Sequence, residues 1–322
     1  MSFVFVPSWL IYGRCMRIIL IILLALPAFA QQTEEMKRRG LTDADFPRLH
    51  KLTENAYVYE MMRAPFQGAR FTTDNLIVIT SEGVLVADAQ GSPEDTARLV
   101  EEIKKLTNQP IKYVVIGSEH VDHTGGNAVF PANVTFIAHP GAKRNLEAQL
   151  NNPNRQRNAP KIVVPNEVVI DKKVITMGGT EIQLLNLGRC HTGTDLTVYL
   201  PKEKVLFMSE CYFHRLYPSL RTGFPSEWIE TIKKAQAMDA DWYIPGHGYI
   251  DDAKTLKADL TESRKALETI VAEAKRLYKP GASPAEAFKQ GNFAPYSSWE
   301  FTEAQARPAF ERAWAEIEAN LQ

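Results

Sequence analysis

The chain of 322 residues has only three cysteines, which is too few for a disulfide framework. It also lacks an excess of either charge, with 37 Lys and Arg against 38 Asp and Glu. Because nucleic acid binding needs clustered basic residues, we expect no nucleic acid partner. The 18 glycines and 19 prolines are scattered, which argues against a collagen-like or low-complexity chain. With 45% hydrophobic and 23% charged residues, the composition is typical of a globular protein.

One long apolar run is present, and it lies near the N-terminus. After Arg17 the chain is apolar through residue 30 and ends in the pattern Ala-Phe-Ala. A positive charge, a short apolar stretch and small residues at the end are typical of a secretory signal peptide. The run is shorter than the roughly 20 residues of a membrane span.

The sequence therefore predicts a signal peptide over residues 1–30, cleaved before Gln31. The mature protein is expected to be periplasmic or secreted and to have no stable membrane span. An uncleaved membrane anchor is the alternative. Translation from Met16 instead of Met1 would give a more ordinary signal peptide.

The mature chain predicts sheets covered by helices. Residues 31–50 are polar and are interpreted as a surface lead-in. Periodicity then predicts strands at 56–59, 76–80, 84–88, 113–116, 134–138, 168–170, 174–176, 181–187, 196–200, 205–208 and 242–244. The three strands from 168 to 187 are expected to form one meander. Helices are predicted after Ser92 and at 141–151, 226–238 (capped by Ser226), 255–277, 283–290 and 302–321.

Histidines and acids cluster at the ends of the predicted strands. His120, Asp122 and His123 follow a buried strand and precede two glycines. Loops at strand ends carry functional residues because the rigid sheet positions them. Three further candidates follow later predicted strands: His191, Glu210 and His247. Imidazole and carboxylate groups suit zinc and similar ions, so the pattern predicts a metal centre.

Four motifs in this order resemble those of the metallo-β-lactamase fold superfamily. They are SEHVDHTGG (residues 118–126), GRCHTGTD (188–195), VLFMSEC (205–211) and IPGHG (244–248). The resemblance covers about residues 55–250 and implies an α/β fold, the four-layer αβ/βα sandwich. It predicts this domain over residues 51–250, with a helical extension over residues 251–322 packed on it. The neighbourhood of these motifs looks nearest to periplasmic hydrolase-like members associated with quinoproteins or sulfur oxidation.

Two positions depart from the family pattern. Ser118 stands where the family has its first histidine, and Glu210 stands where it has a bridging aspartate. By position, the two metal sites correspond to Ser118, His120 and His191, and to Asp122, His123 and His247. Because a serine hydroxyl is a poor zinc ligand, we expect one firmly held zinc and a second that is weak or absent. Glu210 adds a carboxylate if its side chain reaches, and iron or manganese are alternatives to zinc.

The resemblance implies a metallo-hydrolase that acts on a small-molecule substrate. A metal-activated water would attack an ester, thioester, lactone or amide-like bond. Asp122 would bind metal and orient the water, while His120 and His191 hold a weak metal or stabilise the oxyanion. Arg215 and Arg221 follow Glu210 and are candidates for binding an anionic substrate group.

Two other functions remain open. Ser118 favours a binding protein of this fold whose catalytic site has decayed, whereas the intact Asp122, His123 and His247 set argues against it. An iron-dependent redox enzyme of the same fold is the third interpretation. The sequence leaves the substrate and the oligomeric state undetermined.

Several neighbouring residues have structural interpretations. Cys190 and Cys211 adjoin candidate ligands, and three interpretations are open. The two cysteines form a disulfide, or Cys211 replaces Glu210 as a ligand, or both are buried thiols. The buried thiols are the favoured interpretation. Asp88 is expected to support the site from behind. By position, the stretch from residue 61 to 75 corresponds to the family's mobile flap. The remaining histidines are expected to be structural: His50, His139 and His214.

Overall fold

The computed structural model describes residues 33–63 and 70–321. The predicted signal peptide and its cleavage site lie outside the described residues, as does the part of the flap from residue 64 to 69. In the described ranges, no helix is both long and apolar enough to cross a membrane.

Twelve strands occur in the described part of the chain. They are β1 Arg48–Lys51, β2 Ala56–Met62, β3 Thr72–Thr80, β4 Gly83–Ala87, β5 Ile111–Val115, β6 Thr135–Ala138, β7 Glu167–Val168, β8 Lys172–Met177, β9 Thr180–Leu185, β10 Thr197–Leu200, β11 Val205–Phe207 and β12 Trp242–Ile244. The helices of the same ranges are α1 Glu34–Arg39, α2 Pro93–Leu106, α3 Val121–Thr124, α4 Pro140–Leu150, α5 Pro225–Gln236, α6 Ala253–Leu277, α7 Pro284–Phe288 and α8 Thr302–Leu321.

The strands form two sheets. The first has seven strands in the order β1 to β7, antiparallel up to β4 and parallel from β4 to β7. The second has five strands in the order β12-β11-β10-β9-β8, in which only the pair β11 and β12 is parallel.

Alternation along the strands decides how the sheets stack. Val84 and Val86 of β4 pack in one apolar core with α2, while Leu85 packs in a different core against the second sheet. In β11, Leu206 faces the helices and Phe207 faces the first sheet. Because successive side chains point to opposite faces, each sheet buries one face on the other sheet and one on helices. This arrangement confirms the predicted four-layer αβ/βα sandwich.

The C-terminal helices share a core with the second sheet. Leu267 of α6 and Phe310 and Trp314 of α8 belong to the apolar cluster that contains Trp228 of α5 and Leu206. The last two long helices therefore cover this face of the sandwich together with α5. The domain boundary at residue 250 stays a prediction.

Three local predictions differ from the structure. β7 pairs with β6 in the first sheet, so the predicted meander of three strands is reduced to the hairpin of β8 and β9. Helix α5 begins at Pro225 with Phe224 at the cap, which places Ser226 inside the first turn. Residues 31–50 contain α1, capped by Thr33, and the edge strand β1. The first difference arises because β7 pairs with a strand about 30 positions earlier, which local periodicity does not encode.

Candidate metal centre

The six predicted ligands follow strands that end at one edge of the sandwich. His120, Asp122 and His123 follow β5, His191 follows β9, Glu210 follows β11, and His247 follows β12. Strand β5 is parallel to β4, and β11 is parallel to β12. The carboxyl ends of the strands in each pair therefore meet at this edge. The loop after β5 is pressed against α2, since a Cβ on Gly126 would lie 1.7 Å from the Thr96 hydroxyl.

The structure brings all six side chains together in two groups. The first contains Asp122, His123, Glu210 and His247; the second contains His120, His191 and Glu210. Within each group the candidate ligand atoms lie within 4.8 Å of one another. Metal binding by these residues stays a prediction. Their candidate ligand atoms lie close enough together for a shared ion, as metal binding requires.

Glu210 belongs to both groups. Its Oε2 lies 2.9 Å from His120 Nδ1, and its Oε1 lies 3.3 Å from His191 Nε2. The same Oε1 lies 3.4 Å from His247 Nε2 in the other group. With a side chain that is only 4% exposed, this carboxylate is buried between the two sets of imidazoles. The longer side chain of Glu210 therefore reaches the position where a carboxylate contacts both groups.

Ser118 is part of the same arrangement. Its side chain is fully buried, and its hydroxyl donates a hydrogen bond to Glu210 Oε2. The hydroxyl also accepts a bond from the His120 backbone N–H at 3.3 Å. Ser118 thus orients the carboxylate that lies beside His120 and His191. The carboxylate of Glu210 thus reaches this group, as the sequence allowed, and the number of bound metal ions stays a prediction.

Outer hydrogen bonds fix the orientation of three imidazoles. Nδ1 of His123 lies 3.0 Å from Asp88 Oδ2, whereas Nδ1 of His191 and of His247 each lie 2.8 Å from a backbone carbonyl oxygen, those of Ser219 and Thr72. In each ring this leaves Nε2 directed at the shared centre. Metal-binding histidines characteristically use one nitrogen in this way, so the donor set fits a metal ion. Asp88 has the supporting position expected for it.

The charges of the centre are strongly coupled. The Glu210 carboxylate raises the pKa of His120 to about 9. Burial opposes the charged form of His123, yet Asp88 and Glu210 raise its pKa well above the usual value. Burial alone would raise the pKa of Glu210, but the surrounding histidines lower it. The buried carboxylates thus depend on positive charge at this place, as a cation-binding centre requires.

A cavity of about 310 Å³ opens above the two groups. Its floor contains ligand candidates from both groups, and most of its wall is apolar. The wall residues are Phe71, Phe213, Leu216, Tyr217, Ser219, Arg221, Thr222, Phe301 and Gln305. This volume is at the small end of the roughly 300–1,000 Å³ of ligand pockets.

A family model described as the metallo-beta-lactamase superfamily matches residues 69–247. This match covers more than half of the chain. The protein belongs to the metallo-β-lactamase superfamily. With hydrolases among its relatives, it is a metallo-hydrolase of this superfamily.

Two curated relatives illustrate the range of the superfamily. The metallo-beta-lactamase type 2 of Elizabethkingia meningoseptica is 26% identical over 231 residues, which cover 70% of this chain and 84% of that protein. The linear primary-alkylsulfatase of a Pseudomonas species is 21% identical over 260 residues. That match covers 67% of this chain and 49% of the alkylsulfatase, so the chain spans about half of that relative.

Solved structures show the same fold. A metallo-beta-lactamase from Pontibacter korlensis superposes with a TM-score of 0.58 at 21% identity, covering 68% of this chain and 98% of its own. DIM-1 metallo-beta-lactamase gives a TM-score of 0.58 at 22% identity, covering 69% and 96%. The narrower resemblance to quinoprotein- and sulfur-oxidation-associated members stays a prediction.

Arg63 is a site residue that the motifs did not indicate. It follows β2, and its Nη1 donates to Asp122 Oδ2 at 2.6 Å. Its guanidinium lies 5.2 Å from the centre of the Phe71 ring. A single arginine in the flap stretch has no distinctive spacing, so only the fold shows that Arg63 contacts a candidate ligand.

The two predicted substrate-binding arginines have different positions. Arg221 is exposed and lines the cavity, and it has no carboxylate partner among the described residues. Arg215 does not line that cavity; its Nε donates to Asp259 at 2.7 Å. Since Asp259 lies on α6, the sequence near Glu210 did not reveal this ion pair. The structure therefore gives Arg215 an ion pair away from this cavity, and its substrate-binding role stays a prediction.

The structure also joins Cys190 and Cys211 in a disulfide, which corrects the favoured prediction of two free thiols. The bond links the residues next to His191 and Glu210 across 21 positions. Closing a loop of this size stabilises a fold by about 3 kcal/mol, largely by restricting the unfolded chain. The disulfide thus ties together two segments that carry candidate ligands.

The other histidines make structural contacts. His50 pairs with Glu60, His139 caps α4, and His214 lies 2.8 Å from Asp259. None of the three belongs to either ligand group of the described chain.

Proposed function

We propose that this protein hydrolyses an ester, thioester, lactone or amide-like bond of a small molecule, with a water activated by metal. The observation that carries this proposal is the carboxylate of Glu210, shared by two groups of candidate ligands at the floor of a cavity. Such a floor places a substrate directly above the groups that would activate water. Zinc suits the imidazole and carboxylate donors, and iron or manganese are alternatives.

A divalent metal bound here would supply a Lewis acid and lower the pKa of coordinated water from about 15.7 to about 7. Asp122, His123, Glu210 and His247 would hold one ion, and His120, His191 and Glu210 a second. The shared Glu210 favours two ions over the single firmly held ion expected from the sequence.

The protein groups have separate tasks in this proposal. Asp122 belongs to the first ligand group, and the Arg63 guanidinium fixes the orientation of its carboxylate. His120, whose side chain is 37% exposed, would stabilise negative charge that develops on the substrate if the second ion is absent. Arg221 would bind an anionic part of the substrate at the cavity wall. Phe213 and Leu216 limit the access of bulk water to the reacting bond.

The relatives support a broad hydrolytic function without selecting the bond. Their names specify a β-lactamase and an alkylsulfatase, which cleave chemically different bonds. The decayed binding protein is disfavoured because Ser118, the residue that suggested it, holds Glu210 in place. An iron-dependent redox function has no specific observation in its favour.

Metal analysis together with a substrate panel tests this proposal. The purified protein is expected to retain zinc after dialysis and to hydrolyse at least one class among chromogenic esters, thioesters, lactones and β-lactams. Activity should disappear with a chelator and return with added zinc, since the water depends on the ion. A protein that retains no zinc, iron or manganese and cleaves none of these substrates would instead be the decayed binding protein.

We also propose that the protein functions in the periplasm. The apolar run before Gln31 supports export, and the Cys190–Cys211 disulfide suits an oxidising compartment. Protein recovered from the periplasm of its native host should begin within a residue or two of Gln31, as measured by N-terminal sequencing. Full-length protein in the cytosol would contradict the proposal.

A further inference from the structure

The cavity wall contains a segment that lies outside the family match. The match ends at residue 247, whereas Phe301 and Gln305 of the C-terminal extension line the cavity. Phe301 contacts Phe71 edge to face, with ring centres 5.2 Å apart. Phe71 contacts the candidate ligand His247 in the same manner at 4.8 Å. A row of rings therefore connects the centre to the extension.

Backbone contacts hold this segment against the loop that follows Glu210. The Tyr217 N–H donates to the Glu300 carbonyl at 2.9 Å, and Leu216 forms a β-bridge with Glu300. Farther along α8, Arg312 Nε donates to the Gly223 carbonyl at 2.7 Å, next to the Arg221 region. The extension is thus fixed to the same loop that forms the opposite part of the cavity wall.

Phe301 has a backbone conformation that large side chains rarely adopt. Its φ is +68°, in the left-handed region that favours glycine. Such a conformation persists only where surrounding contacts impose it, and these positions cluster at functional sites. Here the conformation occurs immediately before α8, at the residue whose ring narrows the cavity.

We propose that Phe301 determines substrate size by closing the apolar side of the cavity, so that the enzyme selects small esters with a short acyl group. This inference rests on the proposed hydrolytic function. The apolar ring row favours a compact hydrocarbon group beside the reacting bond, and the volume of about 310 Å³ leaves little space for a long one.

The test compares kcat/KM for p-nitrophenyl acetate, butyrate and octanoate with the zinc-loaded full-length protein. Wild type should prefer the short esters. Phe301→Ala removes the ring from the wall and should raise the octanoate-to-acetate ratio about tenfold, the scale of discrimination for changes in apolar pockets. Phe301→Leu keeps more of the packing and should shift the ratio in the same direction. This variant replaces Phe301→Ala in the test if the alanine variant does not fold.

Phe293→Ala is the matched control. Phe293 packs on Phe288 and Phe310 in the same extension, but it is not part of the cavity wall in the described structure. The control should keep the wild-type ratio even if its thermal stability falls. An unchanged ratio in folded Phe301 variants would overturn the inference, as would an equal shift in the control.

A binding measurement separates this inference from the proposed reaction. If wild type cleaves none of the esters, calorimetric titration with butyrate and octanoate still reports the size of the cavity. Phe301→Ala should then strengthen octanoate binding relative to butyrate about tenfold. Unchanged relative affinities would reject the size-selecting role of Phe301. This result would hold whether or not the protein hydrolyses the esters.

Discussion

Replacing His247 with alanine is expected to remove one metal ion and to lower kcat/KM by at least about a hundredfold. His247 Nε2 lies 3.1 Å from His123 Nε2 and 3.4 Å from Asp122 Oδ2, so it completes the first ligand group. Loss of an outer hydrogen-bond partner of a ligand already costs about 10–100-fold, and loss of the ligand itself should cost more. Elemental analysis after dialysis and steady-state kinetics measure the two effects.

His139→Ala is the control for that experiment. His139 accepts a bond from the Gly141 N–H at the start of α4 and is outside both ligand groups. Removal of this cap should lower stability by about 1 kcal/mol while the metal content stays at the wild-type value. If His247→Ala keeps both the metal content and the activity of wild type, the proposed first site is wrong.

A second large effect is expected at Ser118 and Glu210. Glu210→Asp shortens the carboxylate by one methylene, which withdraws it from His120 and His191 and leaves the buried Ser118 hydroxyl without its acceptor. The variant should lose the ion of the second group and retain that of the first, where three other donors remain. The measured zinc content should fall from two ions to one per chain.

Adding Ser118→His to Glu210→Asp should restore the lost ion. The double variant has a third imidazole beside His120 and His191, as well as the space that the shorter carboxylate leaves. Ser118→His alone should instead destabilise the protein by about 1–3 kcal/mol, because the fully buried site already holds Glu210.

Glu119→Asp is the control for the cycle. Glu119 is buried beside the same loop, but its carboxylate accepts bonds from Asn145 and Thr194 and belongs to neither ligand group. It should retain two ions. A double variant that still binds one ion would show that Ser118 and Glu210 do not compensate for one another.

Local pattern was sufficient for most of the elements and for the candidate ligands. Short, nearly continuous apolar runs identified strands such as β3 and β4, and such runs are typical of sheets buried on both faces. The pattern failed for β7, which joins the first sheet, because the pairing of a two-residue strand depends on its neighbours in space. It also did not distinguish a disulfide from free thiols at Cys190 and Cys211.

The sequence by itself determined the superfamily, the layered α/β fold and the six residues at the centre. These follow from short motifs, whose spacing is local and whose strands position them at one edge. Only the tertiary structure decided that Ser118, 92 positions from Glu210, holds that carboxylate, and that Phe301 narrows the cavity. It also paired Arg63 with Asp122 and Arg215 with Asp259. Such contacts join side chains that are far apart in the sequence. The packing of whole layers determines which side chains meet, and local periodicity in the sequence does not show that packing.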